Sequence, residues 1–315
     1  MKKKSGMLKK IAVTGAITGA ACAAVGTAFI EKFLSKNGIK NIIAENNLSP
    51  DEDTVHKTDE ALSGVEFYKK TPCKELFTFN KYSKTLFADF YEVKGSKTFV
   101  ISCHGFTGMP SLNNIYSKHF YELGYNVLLP HLRAHGKSEH DYCTMGWLDR
   151  FDVIDWINYI IEKNHDAKII LHGVSMGAAT VMLTTGENLP ENVICCIEDC
   201  GYTTLWEQYS VQLKEMFNLP SIMLKLIDPV AKIKFGFSFK DVSPIEAVKK
   251  SKTPTLFIHG DKDDFVPFWM NYPLYSKAGC EKERLVIPGA AHAESVYLQP
   301  EMYWEGVTKF INKYL

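Results

Sequence analysis

The sequence has no excess of either charge sign, because 36 lysine and arginine residues are balanced by 36 aspartate and glutamate residues. A nucleic-acid-binding protein usually carries a basic excess, so this balance argues against nucleic acid as a partner. The chain also has no internal repeat and, beyond its N-terminus, no long run of like charges. Apolar residues make up 46% of the 315 residues and charged residues 23%, which is typical of a globular protein with a sizeable core.

The cysteines do not follow the spacing of a metal or redox site. The chain has eight cysteines but no Cys-x-x-Cys pair. When Cys22 in the N-terminal segment is set aside, an odd number remains, so they cannot all form disulfides. Cys195 and Cys196 are neighbours in a strand-like run, where their side chains point to opposite faces and are poorly placed to bridge. We therefore expect buried free thiols, no metal and no cofactor.

One long stretch near the N-terminus lacks charge altogether. Lysines are frequent in residues 2–10, Ile11 to Ile30 contains no charged residue, and Glu31 and Lys32 follow. An uncharged run of about 20 residues matches the hydrocarbon thickness of a bilayer when it is helical. The lysines favour a cytoplasmic N-terminus. We predict that residues 1–35 form a signal anchor in the membrane, with the rest of the chain outside the cytoplasm.

Two other interpretations of this segment stay open. A cleaved signal peptide would use the small residues at 26–28 and would release a secreted protein. Lipidation at Cys22 is a third possibility, although Gly19 stands where a lipid-attachment motif usually has leucine. Residues 36–62 are rich in polar side chains, and we interpret them as a linker to a folded domain over residues 63–315.

Strand-like runs alternate with helical patterns throughout this domain. Residues 98–103 are mostly apolar and β-branched, as buried parallel strands are, and residues 144–163 carry apolar side chains at helical spacing. This alternation predicts an α/β fold with a mostly parallel sheet flanked by helices. The predicted strands are 73–79, 86–93, 98–103, 125–130, 167–171, 193–198, 255–258 and 284–287, and the main predicted helices are 115–123, 144–163, 267–278 and 300–314.

The most informative stretch is a Gly-x-Ser-x-Gly motif at Gly173, Ser175 and Gly177, between an apolar strand and small helix-forming residues. A strand, a sharp turn and a helix with a serine at the apex are typical of a nucleophile elbow. The helix that follows directs its free N–H groups toward the serine. A serine hydroxyl is a poor nucleophile unless a base accepts its proton, and that base is usually a histidine oriented by a carboxylate.

Candidates for the acid and the base follow the later strands. Three aspartates lie in the loop after residues 255–258, and His292 lies in the loop after residues 284–287. Open α/β sheets build their sites at these carboxyl ends. Asp199, which follows the strand at 193–198, is an alternative acid.

Four of these motifs resemble those of the α/β-hydrolase superfamily, and the resemblance covers roughly residues 65–315. Within it, the chain is similar to a bacterial, often membrane-tethered branch related to serine aminopeptidases and monoacylglycerol lipases. The segment at residues 131–138 departs from the pattern of the superfamily, because Ala134 stands where a glycine is usual and His131 stands where an aspartate is usual. The matching motifs are Gly173-x-Ser175-x-Gly177, His259-Gly260-x-x-Asp263-x-x-Val266-Pro267, Gly289-x-x-His292 and His104-Gly105-Phe106.

The resemblance implies a catalytic triad and its accessory groups. Ser175 would be the nucleophile, His292 the base and Asp263 the acid, since the spacing of the family selects Asp263 among its neighbours. The main-chain N–H groups of Phe106 and Met176 would form the oxyanion hole. We predict a serine hydrolase that cleaves a carboxylic ester of a small or medium acyl group. A peptidase for short peptides is the alternative enzyme, and a non-catalytic binding module on the same fold is the other class.

Residues 203–240 interrupt the alternation with an apolar helical insertion. Thr204-x-x-Glu207 is a capping box, Pro220 ends the first helix, and Pro229 interrupts the next stretch. We predict a helical cap over the active site, in which Trp206, Met216 and Phe217 contact the substrate. The insertion contains few acidic residues that would bind a cationic peptide N-terminus, which favours an acyl chain as the ligand.

Overall fold

This computed structural model describes residues 23–45, 58–109 and 113–315. These residues fold around a central sheet of eight strands. The strands are β1 (Lys74–Phe79), β2 (Thr85–Tyr91), β3 (Thr98–Cys103), β4 (Asn126–Pro130), β5 (Lys168–Val174), β6 (Val193–Asp199), β7 (Thr255–Gly260) and β8 (Lys282–Ile287). Their order is β1-β2-β4-β3-β5-β6-β7-β8. β2 pairs antiparallel with β1 and β4, whereas every other pair is parallel. The predicted α/β fold with a mostly parallel sheet is confirmed.

Helices cover both faces of this sheet. Val100 and Ile101 are neighbours on β3 but belong to different apolar clusters, so these clusters lie on opposite faces. The helices are α1 (23–33), α2 (Lys36–Glu45), α3 (Asp59–Lys70), α4 (Asn114–Glu122), α5 (Asp149–Lys163), α6 (Met176–Thr185), α7 (Leu205–Phe217), α8 (Leu224–Phe235), α9 (Pro244–Lys250), α10 (Asn271–Lys277), α11 (Ser295–Leu298) and α12 (Pro300–Ile311). α5 and α6 pack in one cluster, and α4 and α12 pack in the other.

Two helices differ from their predicted bounds for local reasons. α5 begins at Asp149 rather than at residue 144, because the Asp149 carboxylate accepts hydrogen bonds from the Thr144 hydroxyl at 2.6 Å and the Gly146 amide at 3.0 Å. These bonds hold a loop in which Gly146 has a φ of 88°. Pro229 lies inside α8 and does not interrupt it. This helix retains its length because Ile227 and Ala231 are buried against the core.

The interpretation of residues 36–62 as a linker is corrected by the structure. α2 lies within that range, and Ile39 is fully buried. α3 also begins before the predicted domain boundary, and its Gly64 approaches the backbone of Ile115 so closely that a Cβ would lie 2.9 Å from the Ile115 nitrogen. The described parts of this range, residues 36–45 and 58–62, therefore belong to the folded unit.

The predicted signal anchor falls largely outside the described residues, because the structure describes the chain only from residue 23. Its described part, α1, packs on the domain, and the Ile30 and Leu34 side chains are buried. Within the described ranges, none of the helices combines the length and the hydropathy that crossing a bilayer requires.

Candidate active site

The Gly-x-Ser-x-Gly motif forms a sharp turn between β5 and α6. Ser175 has a φ of 57° and a ψ of −115°, a backbone conformation that residues other than glycine rarely adopt. A Cβ on Gly173 would lie 2.2 Å from the Gly177 oxygen, and a Cβ on Gly177 would lie 2.0 Å from the Cys103 oxygen. Both positions therefore require glycine. The Ser175 amide donates to the Asp199 carbonyl at 2.8 Å, which ties the turn to β6.

Ser175, His292 and Asp263 lie together at the carboxyl ends of the strands. The distance from His292 Nε2 to Ser175 Oγ is 2.9 Å, and the distance from His292 Nδ1 to Asp263 Oδ2 is 2.7 Å. The structure therefore brings together the three residues that the sequence predicted as a triad, from loops far apart in the chain. Such a serine–imidazole–carboxylate line supports proton transfer from the hydroxyl.

The Asp263 carboxylate is fixed by four polar groups. Its Oδ1 accepts the amides of Phe265 at 3.0 Å and Val266 at 2.9 Å, and its Oδ2 faces His292 and, at 3.2 Å, His259 Nε2. Burial acts to raise the pKa of Asp263, but the hydrogen bonds from His259 and His292 outweigh burial and hold this pKa below its usual value. The carboxylate is therefore charged over the neutral range and is suited to orient the imidazole.

His259 contacts Asp263 and Phe265 contacts His292, and neither residue was predicted as a site residue. His259 Nε2 also lies 2.9 Å from the Val266 carbonyl. The Phe265 ring lies against the His292 ring, with their centroids 4.8 Å apart. The signal for His259 was its place four residues before Asp263 at the end of β7. We interpret it as a positioning residue.

Asp199, the alternative acid, does not reach the imidazole. Neither of its carboxylate oxygens has a hydrogen-bond partner among the described residues, although the Tyr303 phenol lies near enough to lower the Asp199 pKa. Burial dominates and raises the pKa of Asp199 to about 6. The geometry therefore favours Asp263 as the partner of His292.

The two predicted oxyanion residues, Phe106 and Met176, lie beside the serine. α6 begins at Met176, and the first N–H groups of a helix have no acceptor within the helix. The loop after β3 passes close to the elbow, since a Cβ on Gly105 would lie 3.5 Å from the Ser175 Cβ. Phe106, Met176 and Ser175 line one cavity. These positions suit main-chain donors to a developing oxyanion.

This cavity, which we call the acyl cavity, has a volume of about 390 Å³. Ser175 is only 9% exposed and is one of the residues that line the cavity. Met216 and Phe217 of the cap line the cavity, as predicted, together with Tyr209 and Leu213. The N-terminal residues that also line it, which the sequence did not identify, are Phe29, Lys32, Phe33, Ile42 and Glu45.

Trp206 does not line the acyl cavity, so the structure offers no support for its predicted contact with the substrate. It lies in the first turn of α7, with the Lys240 ammonium 4.6 Å from its ring centroid, and its ring packs on the core. Trp206 and Leu213 are separated by two turns of α7, a spacing that puts them on the same face of the helix. The spacing contained no information on where along the helix the cavity ends.

A larger open groove of about 1030 Å³ runs along α7 and the loop at 263–269. Its lining includes Met216, Phe265 and Trp269 but not Ser175. Ser175 therefore opens into the smaller acyl cavity.

One side-chain cluster within the described ranges has the spacing of metal ligands. The ligand atoms of Cys200, Asp263 and His292 lie within 4.8 Å of one another. Burial raises the pKa of the Cys200 thiol well above its usual value, and a protonated thiol is a poor ligand. Asp263 and His292 already bond to each other. The cluster therefore fits the triad better than it fits a metal.

Comparison with known proteins identifies the family. A profile described as alpha/beta hydrolase fold matches residues 98–219, which include the elbow. The chain is also 31% identical to the uncharacterized protein YqkD of Bacillus subtilis over 249 residues, which cover 75% of this chain and 81% of that protein. The chain belongs to the α/β-hydrolase superfamily. The hydrolase fold that the motifs implied is thus confirmed.

This hydrolase is similar to two proteins with stated activities. Over 103 residues it is 32% identical to a thermostable monoacylglycerol lipase of a Bacillus species, which covers 31% of this chain and 38% of the lipase. Its fold is similar to that of an esterase of Pyrococcus furiosus, with a TM-score of 0.64 and 21% identity over 78% of this chain and 92% of the esterase. The hydrolase therefore shares the fold of esterase and lipase enzymes.

Proposed function

We propose that the protein is a serine hydrolase of carboxylic esters, with Ser175 as its nucleophile. The observation that carries this proposal is the line of hydrogen bonds from Asp263 through His292 to Ser175 at the floor of an apolar cavity. Each element of the line has the chemistry that acyl transfer needs: a hydroxyl, a base and a charged orienting group.

The reaction proceeds in two steps. Ser175 Oγ attacks the carbonyl carbon of the ester while His292 Nε2 accepts the hydroxyl proton. The amides of Phe106 and Met176 donate to the oxyanion, and one such donor contributes about 3–4 kcal/mol to lowering the barrier. His292 then gives its proton to the departing alcohol, and the acyl group stays on Ser175. A water molecule, deprotonated by His292, releases the carboxylic acid and restores the hydroxyl.

The lining of the acyl cavity favours an ester with an acyl chain over a peptide. Its two charged side chains, Lys32 and Glu45, have opposite signs, and the remaining lining is mostly apolar. The acidic residues of the cap, Glu207, Glu215 and Asp228, are already engaged by Thr203 and Thr204, by Lys214, and by residues 238–239. None of the three lines the acyl cavity, so none of them is placed there to bind the cationic N-terminus of a peptide.

A panel of substrates tests this proposal. Nitrophenyl esters, monoacylglycerols and short peptide amides are compared on the full chain, with Ser175→Ala as the inactive variant and Ser276→Ala, an exposed serine on α10, as its matched control. We expect ester turnover and fluorophosphonate labelling that only Ser175→Ala removes. Turnover of peptides but not esters would replace the proposal with the peptidase. Absence of labelling in the wild-type protein would support a binding module.

We also propose that the uncharged N-terminal segment attaches the hydrolase to a membrane, with its domain outside the cytoplasm. The support is the uncharged run from Ile11, together with the lysines that precede it. Because Ile30 is buried against the domain, the attached segment ends before that residue. Protease treatment of intact cells should remove the domain. Full protection would contradict the proposed orientation, and release into the medium would support a cleaved signal peptide.

A further inference from the structure

We propose that α1 and α2 form the outer wall of the acyl cavity and determine the length of acyl chain that the enzyme accepts. This inference rests on the proposed ester hydrolysis at Ser175, and it extends the site to a part of the chain that carries no catalytic motif. We call these two helices, residues 23–45, the N-terminal wall.

The N-terminal wall meets the cap helix α7 along one side of the acyl cavity. The Phe29 ring meets the Tyr209 ring edge-on at 5.7 Å, and the Phe33 ring meets the Phe217 ring in the same way at 5.7 Å. Tyr209 and Phe217 belong to α7 and line the acyl cavity, as the two N-terminal phenylalanines do. Ile42 of α2 adds an apolar group to the same lining. Removing the wall would therefore open the cavity to solvent along one side.

The N-terminal wall is attached firmly to the catalytic domain. The Leu34 carbonyl accepts the Cys143 amide at 2.7 Å, and the Lys36 amide donates to the Asp141 carbonyl at 2.7 Å. The turn between α1 and α2 thus pairs with the loop before α5. Because Ile39 of α2 is also 1% exposed, this attachment has an apolar part as well as a polar part.

A second attachment joins α1 to α8 of the cap. The Glu31 carboxylate accepts the Lys234 ammonium at 2.6 Å and the Tyr142 hydroxyl at 3.0 Å. Gly26 lies so close to α8 that a Cβ there would lie 2.6 Å from a methyl group of Val230. These contacts hold the wall in place between the domain and the cap. A surface that selects a ligand by its length needs such a defined position.

The position of the wall predicts which substrates it affects. An acetyl group on Ser175 occupies only the floor of the cavity, near Phe106 and Met176. A longer acyl chain extends between α7 and the wall and buries its methylenes against Phe29, Phe33 and Ile42. Each buried methylene contributes about fourfold to binding. The wall therefore distinguishes long chains from short chains and leaves the chemistry at Ser175 unchanged.

Truncating the aromatic wall residues tests this inference. On the full chain, kcat/KM is measured for nitrophenyl esters from acetate to dodecanoate in Phe29→Ala and Phe33→Ala, and Tm is recorded for each variant. We expect long-chain esters to lose roughly 10- to 100-fold and acetate to change less than about threefold. Val25→Ala is the matched control, because Val25 is an exposed residue of α1 outside the cavity lining. Equal losses at every chain length would overturn the inference.

A substitution that adds volume tests the same wall by blocking the cavity, and it does not require the protein to tolerate a newly created void. Ile42→Trp should shorten the longest accepted chain and leave acetate turnover near the wild-type value. Ile233→Trp, at a residue of α8 that is 88% exposed, is its control. An unchanged chain-length profile in Ile42→Trp would contradict a role for α2 in the wall.

Alkyl fluorophosphonates of increasing length separate the inference from the proposed function, because they label an activated serine without any knowledge of the natural substrate. If the wild-type protein is not labelled at Ser175, the proposed function fails, and the inference fails with it. If it is labelled and the wall variants keep the wild-type dependence on alkyl length, only the inference fails. Slower labelling by long probes alone in Phe33→Ala would support both.

Discussion

The backbone of Ser175 holds this side chain at the elbow at a cost in stability. A non-glycine residue with a φ of 57° and a ψ of −115° is strained, and such strain costs on the order of 1–3 kcal/mol. The turn persists because glycines at 173 and 177 allow the chain to pass close to its neighbours and because the Ser175 amide bonds to β6.

This strain predicts a difference between two inactive variants. Ser175→Gly should unfold at a higher urea concentration than Ser175→Ala, since alanine keeps the strained Cβ and glycine does not. We expect a difference of about 1 kcal/mol, because the strain relieved exceeds the extra entropy that glycine loses on folding. Urea unfolding at neutral pH measures it. Lower stability in Ser175→Gly would show that the turn is not strained.

Two buried aspartates near His292 have different environments and should have different effects on turnover. Asp263→Asn should lower kcat by orders of magnitude, because a neutral amide neither holds the imidazole in its tautomer nor stabilises its charged form. Asp199→Asn should cost much less, since Asp199 makes no hydrogen bond to His292. Ester kinetics of the two variants decide this point, and the reverse ranking would assign the acid to Asp199.

Asp199 should also make stability depend on pH. Burial raises its pKa in the folded state to about 6, above the usual aspartate value of about 3.9. The folded protein therefore holds a proton that the unfolded chain has released, and the contribution of this group to stability falls as pH rises from about 4 to 6. His259, His292, Asp263 and Tyr303 are the titratable groups that face it.

Asp199→Asn removes this dependence because an amide does not ionise. The stability of Asp199→Asn relative to the wild-type protein should rise by at most about 3 kcal/mol between pH 4 and pH 6 and then stay level. Urea unfolding of both proteins across this range is the measurement. A difference that stays constant with pH would mean that Asp199 has an ordinary pKa.

At the scale of elements, the main question concerns the helices before β1. Residues 1–35 contain no catalytic motif, and the sequence analysis assigned them to a signal anchor outside the folded domain. The structure buries Ile30 and Leu34 of this segment and places Phe29 and Phe33 at the acyl cavity. α1 is therefore an element of the enzyme.

Two truncations test this conclusion. Removal of residues 1–22 keeps α1 complete from its first described residue and should leave Tm and ester turnover near their full-length values. Removal of residues 1–35 also deletes α1 and exposes apolar surface of the cap. We expect it to lower Tm by several degrees, because one buried leucine or isoleucine contributes about 1.5–3 kcal/mol. Equal Tm values for the two truncations would show that α1 contributes nothing to the fold.

The cap helices show how much of the structure the helical pattern of apolar residues predicts. Thr204 caps α7, since its hydroxyl accepts the Glu207 amide at 3.1 Å, and α7 begins at Leu205 as the motif indicated. The apolar stripe of α7 also includes Met216 and Phe217, which line the acyl cavity. Trp206 lies on the same stripe but does not line the cavity. A helical pattern predicts which face of a helix is apolar, but it does not predict which part of that face borders a cavity.

At the scale of the whole molecule, the sheet was predictable because each strand contains its own signal. β5, β6 and β7 are buried, mostly apolar runs, and a parallel sheet covered on both faces produces such runs. The hairpin of β1 and β2 was also predictable, but the order of the strands and the antiparallel pairing of β2 with β4 were not. They depend on which edges pair in space, as in the pairing of β3 with both β4 and β5.

The sequence by itself determined the α/β class, the elbow at Ser175 and the candidate acid and base, because each depends on residues close together in the chain or at the end of a recognisable strand. Only the tertiary structure brought His292 between Ser175 and Asp263, placed Asp199 out of reach, and joined α1 and α2 to the acyl cavity. The physical reason is that a cavity is bounded by surfaces from distant segments. Its walls therefore depend on packing, whereas a motif depends on local backbone geometry.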